Sequence, residues 1–240
     1  MRLLLIILIM GSANFFAQKT LTANNVKLES KYIKDETSHT VWYAQKGDQK
    51  MEIGKITTQV KKVDKTTLLI KTSVKMNQAP ETPWVDSTLV KISNFQPIYH
   101  SSYNSMRDMT LKFGKSNVTG YYLDKKNQKK DNIDEKVSVE YFDSNSYPGL
   151  IRFLPLKEHY STELPIFDYN PTAKKGVIKA YIEDVNKGEL NDKKVWIVKT
   201  TDDIQDRKTI VTYYIDISTR EVLKQEIDSN GRKMVMESVK

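Results

Sequence analysis

The stretch LLIKTSVKM at residues 68–76 decides the fold class of this chain. Leu68, Ile70, Thr72, Val74 and Met76 occupy alternate positions, and the positions between them are Leu69, Lys71, Ser73 and Lys75. Successive side chains of a strand point to opposite faces, so this period of two predicts a β-strand with one buried face and one solvated face.

The same period recurs along most of the chain. Alternating or β-branched runs occupy residues 56–60, 137–142, 177–185, 195–200, 210–217, 222–227 and 234–236. Short turn signals separate the runs, among them Lys187-Gly188 and Asn230-Gly231. Strands joined by such short loops pair antiparallel, because a parallel crossover needs about a dozen residues or more. The sequence therefore predicts an all-β protein of about ten strands, arranged as a curved antiparallel meander sheet or half-barrel.

Two segments interrupt this pattern. Residues 24–35 carry a few apolar side chains among charges and are compatible with a short helix. Residues 146–171 contain four prolines, and their first part, residues 146–156, is apolar without alternation. Pro148 can open a helical turn and Pro155 would end it. We expect a short helix or loop that acts as a lid over one end of the sheet, with a linker between two halves of the chain as the alternative.

The N-terminus is organised like a secretory signal peptide. Arg2 supplies a positive start, residues 3–10 are apolar, and small residues precede a cleavage point after Ala17 or Ala13. The apolar run is shorter than the roughly 20 residues of a membrane anchor, and a buried N-terminal element is the alternative. We predict a signal peptide at residues 1–17 and a single exported β domain at residues 18–240, periplasmic or secreted and not membrane-spanning.

The charge balance is basic, with 38 Lys and Arg against 30 Asp and Glu. Many lysines come in pairs, such as Lys61-Lys62 and Lys129-Lys130, with acidic residues close by. This arrangement is typical of solvated loops, and a functional basic patch is the alternative. No nucleic-acid-binding motif accompanies the lysines, so we predict no nucleic-acid partner.

Residue types that build common catalytic and metal sites are scarce. The chain has no cysteine, which excludes thiol nucleophiles and cysteine-ligated metals. The histidines His39, His100 and His159 lie far apart without a metal-binding spacing, and each is predicted at the surface or at a strand edge. The acids between residues 202 and 206 fit a polar hairpin loop, although paired carboxylates can act in acid–base catalysis. We predict no catalytic residue, no metal and no cofactor.

The aromatic and aliphatic residues are more informative. Tryptophans and tyrosines lie mostly on predicted strands, and tandem pairs such as Trp42-Tyr43 place one ring on each face of the sheet. One interpretation is a core on one face with cross-strand pairs on the other. The functional interpretation is a concave sheet that binds an apolar ligand under the proline-rich segment. Its predicted lining or lid residues are Trp84, Leu150, Phe153, Leu154 and Phe167.

Three sequence segments resemble those of a known family. They are DSTL at 86–89 leading to FQPI at 95–98, MTLKF at 109–113 followed by VTGY at 118–121, and DISTREVL at 216–223. With the predicted export signal and lid, this chain resembles the half-β-barrel superfamily of lipoprotein carriers and receptors. It is more similar to exported bacterial domains of unknown function with that shape. The resemblance implies a non-enzymatic carrier, receptor or envelope-associated role.

We therefore expect a non-enzymatic binding protein whose partner is a lipid-like apolar ligand or an envelope protein. A second hypothesis is a hydrolase that uses the acids around residues 202–206 or a histidine such as His159. A third is a structural or assembly protein that pairs through an exposed strand edge.

Overall fold

The computed structural model describes residues 20–172 and 175–239, so the predicted signal peptide lies outside the described residues. The described chain forms one sheet of fifteen strands. The first eight are β1 (Glu36–Lys46), β2 (Gln49–Lys62), β3 (Thr67–Met76), β4 (Ala79–Lys91), β5 (Pro97–Tyr103), β6 (Arg107–Phe113), β7 (Asn117–Asp124) and β8 (Lys129–Lys136). The others are β9 (Phe142–Asp143), β10 (Thr162–Asp168), β11 (Gly176–Leu190), β12 (Lys193–Asp202), β13 (Thr209–Asp216), β14 (Val222–Ser229) and β15 (Arg232–Val239). The helical elements in these residues are α1 (Tyr147–Ile151) and two 3-10 turns at Ser30–Tyr32 and Asp203–Gln205.

The sheet consists of two meandering arms joined by β1 and β15. Strands β1–β8 form one arm and β9–β15 the other, and β1 pairs antiparallel with β15, with His39 opposite Val239. Strands β8 and β9 lie at the two edges, so the sheet is not closed into a barrel. Among the described residues, the strand pairings are antiparallel except that of β9 with β10, and an isolated bridge between Thr20 and Glu163 is also parallel. The predicted all-β, mainly antiparallel sheet is confirmed.

The segment between β9 and β10 fills the space between the two arms. We call residues 144–156 the plug segment. Its side chains Leu150, Ile151, Phe153 and Leu154 are almost completely buried in a core that also contains residues of β2–β4 and β10–β13. Pro148 stands in the first turn of α1, where a proline costs no hydrogen bond. The predicted short helix is present, but its side chains form the core of the sheet.

A second hydrophobic cluster closes the far side of the first arm. It contains Met109, Leu111, Val118 and Ile133 from β6–β8, packed against Tyr141, Phe167 and Tyr169. Phe167 meets the ring of Tyr141 at 5.8 Å and that of Phe113 at 6.0 Å between ring centroids. The outer strands of this arm are therefore anchored to the chain that flanks the plug segment.

Three sequence predictions about local structure are wrong. Residues 137–142 form no strand before Phe142, because this stretch crosses from one edge of the sheet to the other. Lys187-Gly188 lies inside β11, and the turn is made by Asn191 and Asp192, both with positive φ, which these residue types tolerate. A Cβ atom on Gly188 would lie 2.5 Å from Ile197 Cδ1, so this glycine permits close packing. Residues 24–35 contain only the short 3-10 turn.

The number of strands was also underestimated. Strand β8 reads KKDNIDEK, and Ile133 is its one buried residue. An edge strand is hydrogen-bonded on one side only and can be solvated on the other, so it needs little apolar alternation. Such strands give a weak period-two signal.

Candidate ligand-binding site

A cavity of about 380 Å³ lies on the concave face of the sheet. Strands β1–β4 form one wall, residues of β13–β15 form another, and the plug segment closes one end. This volume lies within the range of about 300–1,000 Å³ that is common for small-molecule sites.

The pairing register produces two cross-strand rows on the cavity wall. The upper row consists of Thr40, Ile56, Val74 and Trp84. The lower row, one step closer to the plug segment, consists of Ser38, Thr58, Thr72 and Asp86. The upper row is mostly apolar and the lower row is entirely polar. The alternation of four neighbouring strands therefore builds an amphipathic wall.

Two tryptophans border the cavity with free hydrogen-bond donors. Trp42 on β1 and Trp84 on β4 both line the space. Their indole Nε1 atoms are buried and make no hydrogen bond to the described residues. Buried polar groups normally have partners. For Trp84 the nearby acceptor is Asp86, whose pKa this side chain helps to lower.

An ion pair fixes the plug segment to the first strand. Arg152, only 8% exposed, pairs with Glu36 of β1, and its guanidinium carbon lies 4.5 Å from the ring centroid of Phe153. Both charged residues line the cavity. Because each neutralises the other, this pair leaves little net charge at the plug end of the cavity.

A second charged cluster lies behind the polar row. His100 on β5 is buried between Asp86 on β4 and Asp143 on β9. Its Nδ1 atom lies 3.2 Å from Asp143 Oδ1, and its Nε2 atom lies 4.0 Å from Asp86 Oδ1. Thr88 Oγ1 donates a hydrogen bond of 3.2 Å to the other oxygen of Asp143. The cluster thus connects the start of the plug segment to the first arm.

The electrostatics of this cluster favour charged side chains. Burial would lower the pKa of His100, but Asp143 and Asp86 outweigh burial and raise this pKa to about 10. Burial would raise the pKa of Asp86, yet the His100, Ser102 and Trp84 side chains together outweigh burial, so the pKa of this carboxyl group lies below its ordinary value. At neutral pH the imidazolium and the Asp86 carboxylate are both ionised.

The five residues predicted as lining or lid lie in three different places in the structure. Trp84 and Phe153 line the cavity. Leu150 and Leu154 belong to the buried core beneath it, and Phe167 lies in the second hydrophobic cluster. Two of the five residues therefore border the cavity, and the other three support the sheet around it.

Sequence reasoning missed the buried histidine of the charged cluster. His100 was predicted at the surface or a strand edge, and this is wrong, because it is 4% exposed. His39 and His159 are exposed as predicted. A signal for the cluster existed in β4, where Asp86 and Thr88 share the parity of Trp84 and Val90 and therefore face the concave side. A carboxylate at an inward position requires a buried partner.

The acids and histidine of the hydrolase hypothesis lie at different places along β11. The backbone N–H of His159 bonds to Val185, whereas Asp202 pairs with Ala180 of the same strand. Five residues of strand separate these positions by roughly 16 Å. Asp202 accepts a 3.1 Å hydrogen bond from Tyr147 Oη, and burial raises the pKa of Tyr147 well above its ordinary value. His159 faces Asp184 at 3.7 Å with an 82% exposed side chain.

The described residues contain neither a metal-binding cluster nor a membrane-spanning helix. No group of three or more His, Asp or Glu side chains there is arranged to hold a metal ion. No helix in residues 20–172 or 175–239 is long and apolar enough to cross a membrane.

The family of the chain follows from a match that covers most of its length. The model of the family described as Protein of unknown function (DUF3108) matches residues 40–237. The chain belongs to this family. No curated protein matches it.

A solved structure supports the fold assigned to this DUF3108 chain. It is a crystal structure described as a beta-barrel-like protein of domain of unknown function DUF1849 from Brucella abortus. It shares 9% sequence identity, covers 86% of this chain and 96% of its own, and has a TM-score of 0.54. A DUF1329 family protein from Desulfovibrio piger ATCC 29098 matches at 7% identity and 88% and 87% coverage, with a TM-score of 0.25. The predicted membership in a family of unknown function with a barrel-like sheet is confirmed.

Proposed function

We propose that this DUF3108 protein is exported to the periplasm or secreted and acts there as a non-enzymatic binding protein. Its ligand is an apolar or amphipathic molecule held in the concave cavity. The observation that carries this proposal is the cavity itself, which retains about 380 Å³ of space although the neighbouring plug segment is tightly packed. Burial of apolar ligand surface would supply about 25 cal/mol per Å².

The lining supports binding of a molecule with two chemical parts. Ile56, Val74 and Trp84 form an apolar wall, and the neighbouring row offers hydroxyl groups and one carboxylate. Apolar walls with a few polar groups that fix orientation are the usual composition of small-molecule sites.

The edges of the sheet give little support to the assembly hypothesis. Strand β8 is an edge that carries six charged side chains in eight residues, KKDNIDEK, and the opposite edge β9 has only two residues. Charged or very short edges protect a sheet from pairing with other chains. The cavity is therefore the better basis for a function than the edges.

A pair of adjacent threonines provides the test. Thr58 lines the cavity, while Thr57 points to the other face of β2, where its Oγ1 lies 3.2 Å from His39 Nδ1. We expect Thr58→Phe to fill the cavity and to weaken binding of 1-octanol at least tenfold, whereas Thr57→Phe leaves it unchanged. Quenching or shift of tryptophan fluorescence reports binding, because Trp42 and Trp84 border the space.

The wild-type protein decides whether the cavity is a binding site at all. If 1-octanol, octanoate and octylamine all fail to bind, the proposed function is overturned. Equal binding by both phenylalanine variants and the wild type would place the ligand elsewhere on the molecule and overturn it as well. Mass spectrometry of an organic extract of the protein purified from its native cells then identifies the natural ligand class.

A further inference from the structure

The cavity is acidic although the chain as a whole is basic. Lys and Arg outnumber Asp and Glu by 38 to 30 in the sequence. Among the described residues that line the cavity, however, there are three carboxylates, Glu36, Asp86 and Glu221, and one base, Arg152. Arg152 is already paired with Glu36. Two carboxylates therefore remain without a basic partner among the lining residues.

Asp86 is the carboxylate of the polar row and stands at its β4 end. It is 7% exposed and stands on the polar row opposite Thr72. Its Oδ1 atom is buried and makes no hydrogen bond to the described residues. This oxygen faces His100 Nε2 at 4.0 Å. The Asp86 residue still lines the cavity, so a bound hydrogen-bond donor that approaches its carboxylate from the open side would make a charge-assisted hydrogen bond.

The nearby imidazolium does not cancel this charge. His100 Nδ1 is within 3.2 Å of Asp143, which is completely buried behind it, so these two groups form the close pair. The distance from His100 to Asp86 is longer, at 4.0 Å. His100 is therefore shared between two carboxylates, and Asp86, the more distant of the two, is the one that lines the cavity.

Apolar groups lie next to this oxygen. Trp84 is two residues before Asp86 on β4 and therefore shares its face, and Val74 is opposite Trp84. We propose that the cavity binds a protonated primary amine that carries an apolar body, with the ammonium group donating to Asp86 and the body lying against Trp84 and Val74. This inference rests on the proposed function and adds the chemical class of the ligand.

Three probes of equal chain length test the charge preference in the wild-type protein. Octylamine, 1-octanol and octanoate share one apolar chain and differ in the head group. Hydrogen bonds to charged groups contribute about 1.5–3 kcal/mol, so we expect octylamine to bind about 10- to 100-fold more tightly than 1-octanol at pH 7. Octanoate should be the weakest. If 1-octanol or octanoate binds as tightly as octylamine, the binding function stands and the amine inference is overturned.

Matched variants test whether Asp86 causes the preference for octylamine over 1-octanol. We expect Asp86→Asn to reduce the preference of the protein for octylamine over 1-octanol to less than threefold. Asp131→Asn, on the edge strand β8 outside the cavity, should retain the full preference. A preference that survives in a folded Asp86→Asn protein would overturn the assignment to Asp86. If Asp86→Asn does not fold, Glu221→Gln in the same lining should reduce the octylamine preference two- to fivefold, and an unchanged preference would overturn the charge argument.

The source of the amine is tested with lysophosphatidylethanolamine, whose phosphate stands beside its amine. That phosphate would meet the acidic lining, so we expect it to bind more weakly than octylamine. Equal or tighter binding would overturn the role of the negative charge.

Discussion

The concave face of the sheet has two neighbouring regions that the same strands build in different ways. Near the plug segment, Leu68 and Ile70 of β3 pack against Leu150 and Phe153 and form a dense core. A few residues further along the same strand, Val74 faces the cavity with Trp84. The sheet thus contributes apolar side chains in both regions, and only the presence of the plug segment makes one of them solid. Loss of contacts in the filled region should therefore cost stability, while changes in the empty region should alter binding.

The largest expected effect is on the free energy of unfolding. It concerns the buried charges that attach the plug segment to the first arm. Asp143→Ala removes the carboxylate that His100 and Thr88 share as a partner. Breaking a buried ion pair costs about 3–5 kcal/mol in the free energy of unfolding. Urea denaturation measures this loss. The control is Glu158→Ala, which removes a half-exposed pair with Lys187 and should cost at most about 1 kcal/mol. Equal losses in both variants would show that the buried cluster does not hold the plug segment.

The next effect compares one side chain from each region. Leu150→Ala in the plug segment should reduce the free energy of unfolding by about 3 kcal/mol, because it leaves a void in a packed core. Met236→Ala on the cavity wall should cost about 1 kcal/mol, because this side chain already borders open space. Thermal and urea unfolding of the two variants give the difference. If Met236→Ala costs as much as Leu150→Ala, the two regions are equally packed and the distinction is wrong.

The smallest expected effect, counted per pH unit, is a change in the free energy of unfolding with pH that arises from His100. Its pKa is raised from 6.5 to about 10 in the folded protein, so its stabilising contribution is complete below about pH 6.5 and is lost as pH rises towards 10. The free energy of unfolding should fall by at most about 1 kcal/mol per pH unit between pH 7 and 9. Tyr141, whose pKa burial raises to about 12, titrates above this window.

The control for the pH dependence is His100→Gln, which keeps a polar side chain without a titrating ring. This variant should be less stable at pH 7 and should lose the slope between pH 7 and 9. Urea midpoints at four pH values are sufficient. An identical slope in the two proteins would assign the pH dependence to other groups.

Much of the fold was readable from the sequence because the strands that matter most alternate clearly. Residues 68–76 were predicted as a strand and form most of β3, and Asn230-Gly231 makes the turn between β14 and β15. The helix at Pro148 was also predicted, because proline suits the first turn of a helix; the helix ends at Ile151, before Pro155 is reached. These are local signals that need no knowledge of distant contacts.

The site was less readable because it depends on the register between distant strands. Asp86, His100 and Asp143 come from three different strands, and their proximity follows only when β9 is placed beside β4 and β5. Leu150 and Leu154 were expected at a lid and instead lie in the core, because an apolar segment gives the same sequence signal in both places. Trp84 was easier to identify because its inward position on the strand could be read from the sequence. An aromatic residue at such a position suits both a core and a cavity wall.

The pairing of β1 with β15 has a consequence for the order of folding. Trp42 on the cavity wall is opposite Met236, and these residues stand near opposite ends of the chain. Contacts of such long sequence separation form late and slow the folding of β proteins. The cavity therefore remains incomplete until the final strand has docked, and a chain truncated before β15 would lose part of the cavity wall while retaining every residue of the plug segment.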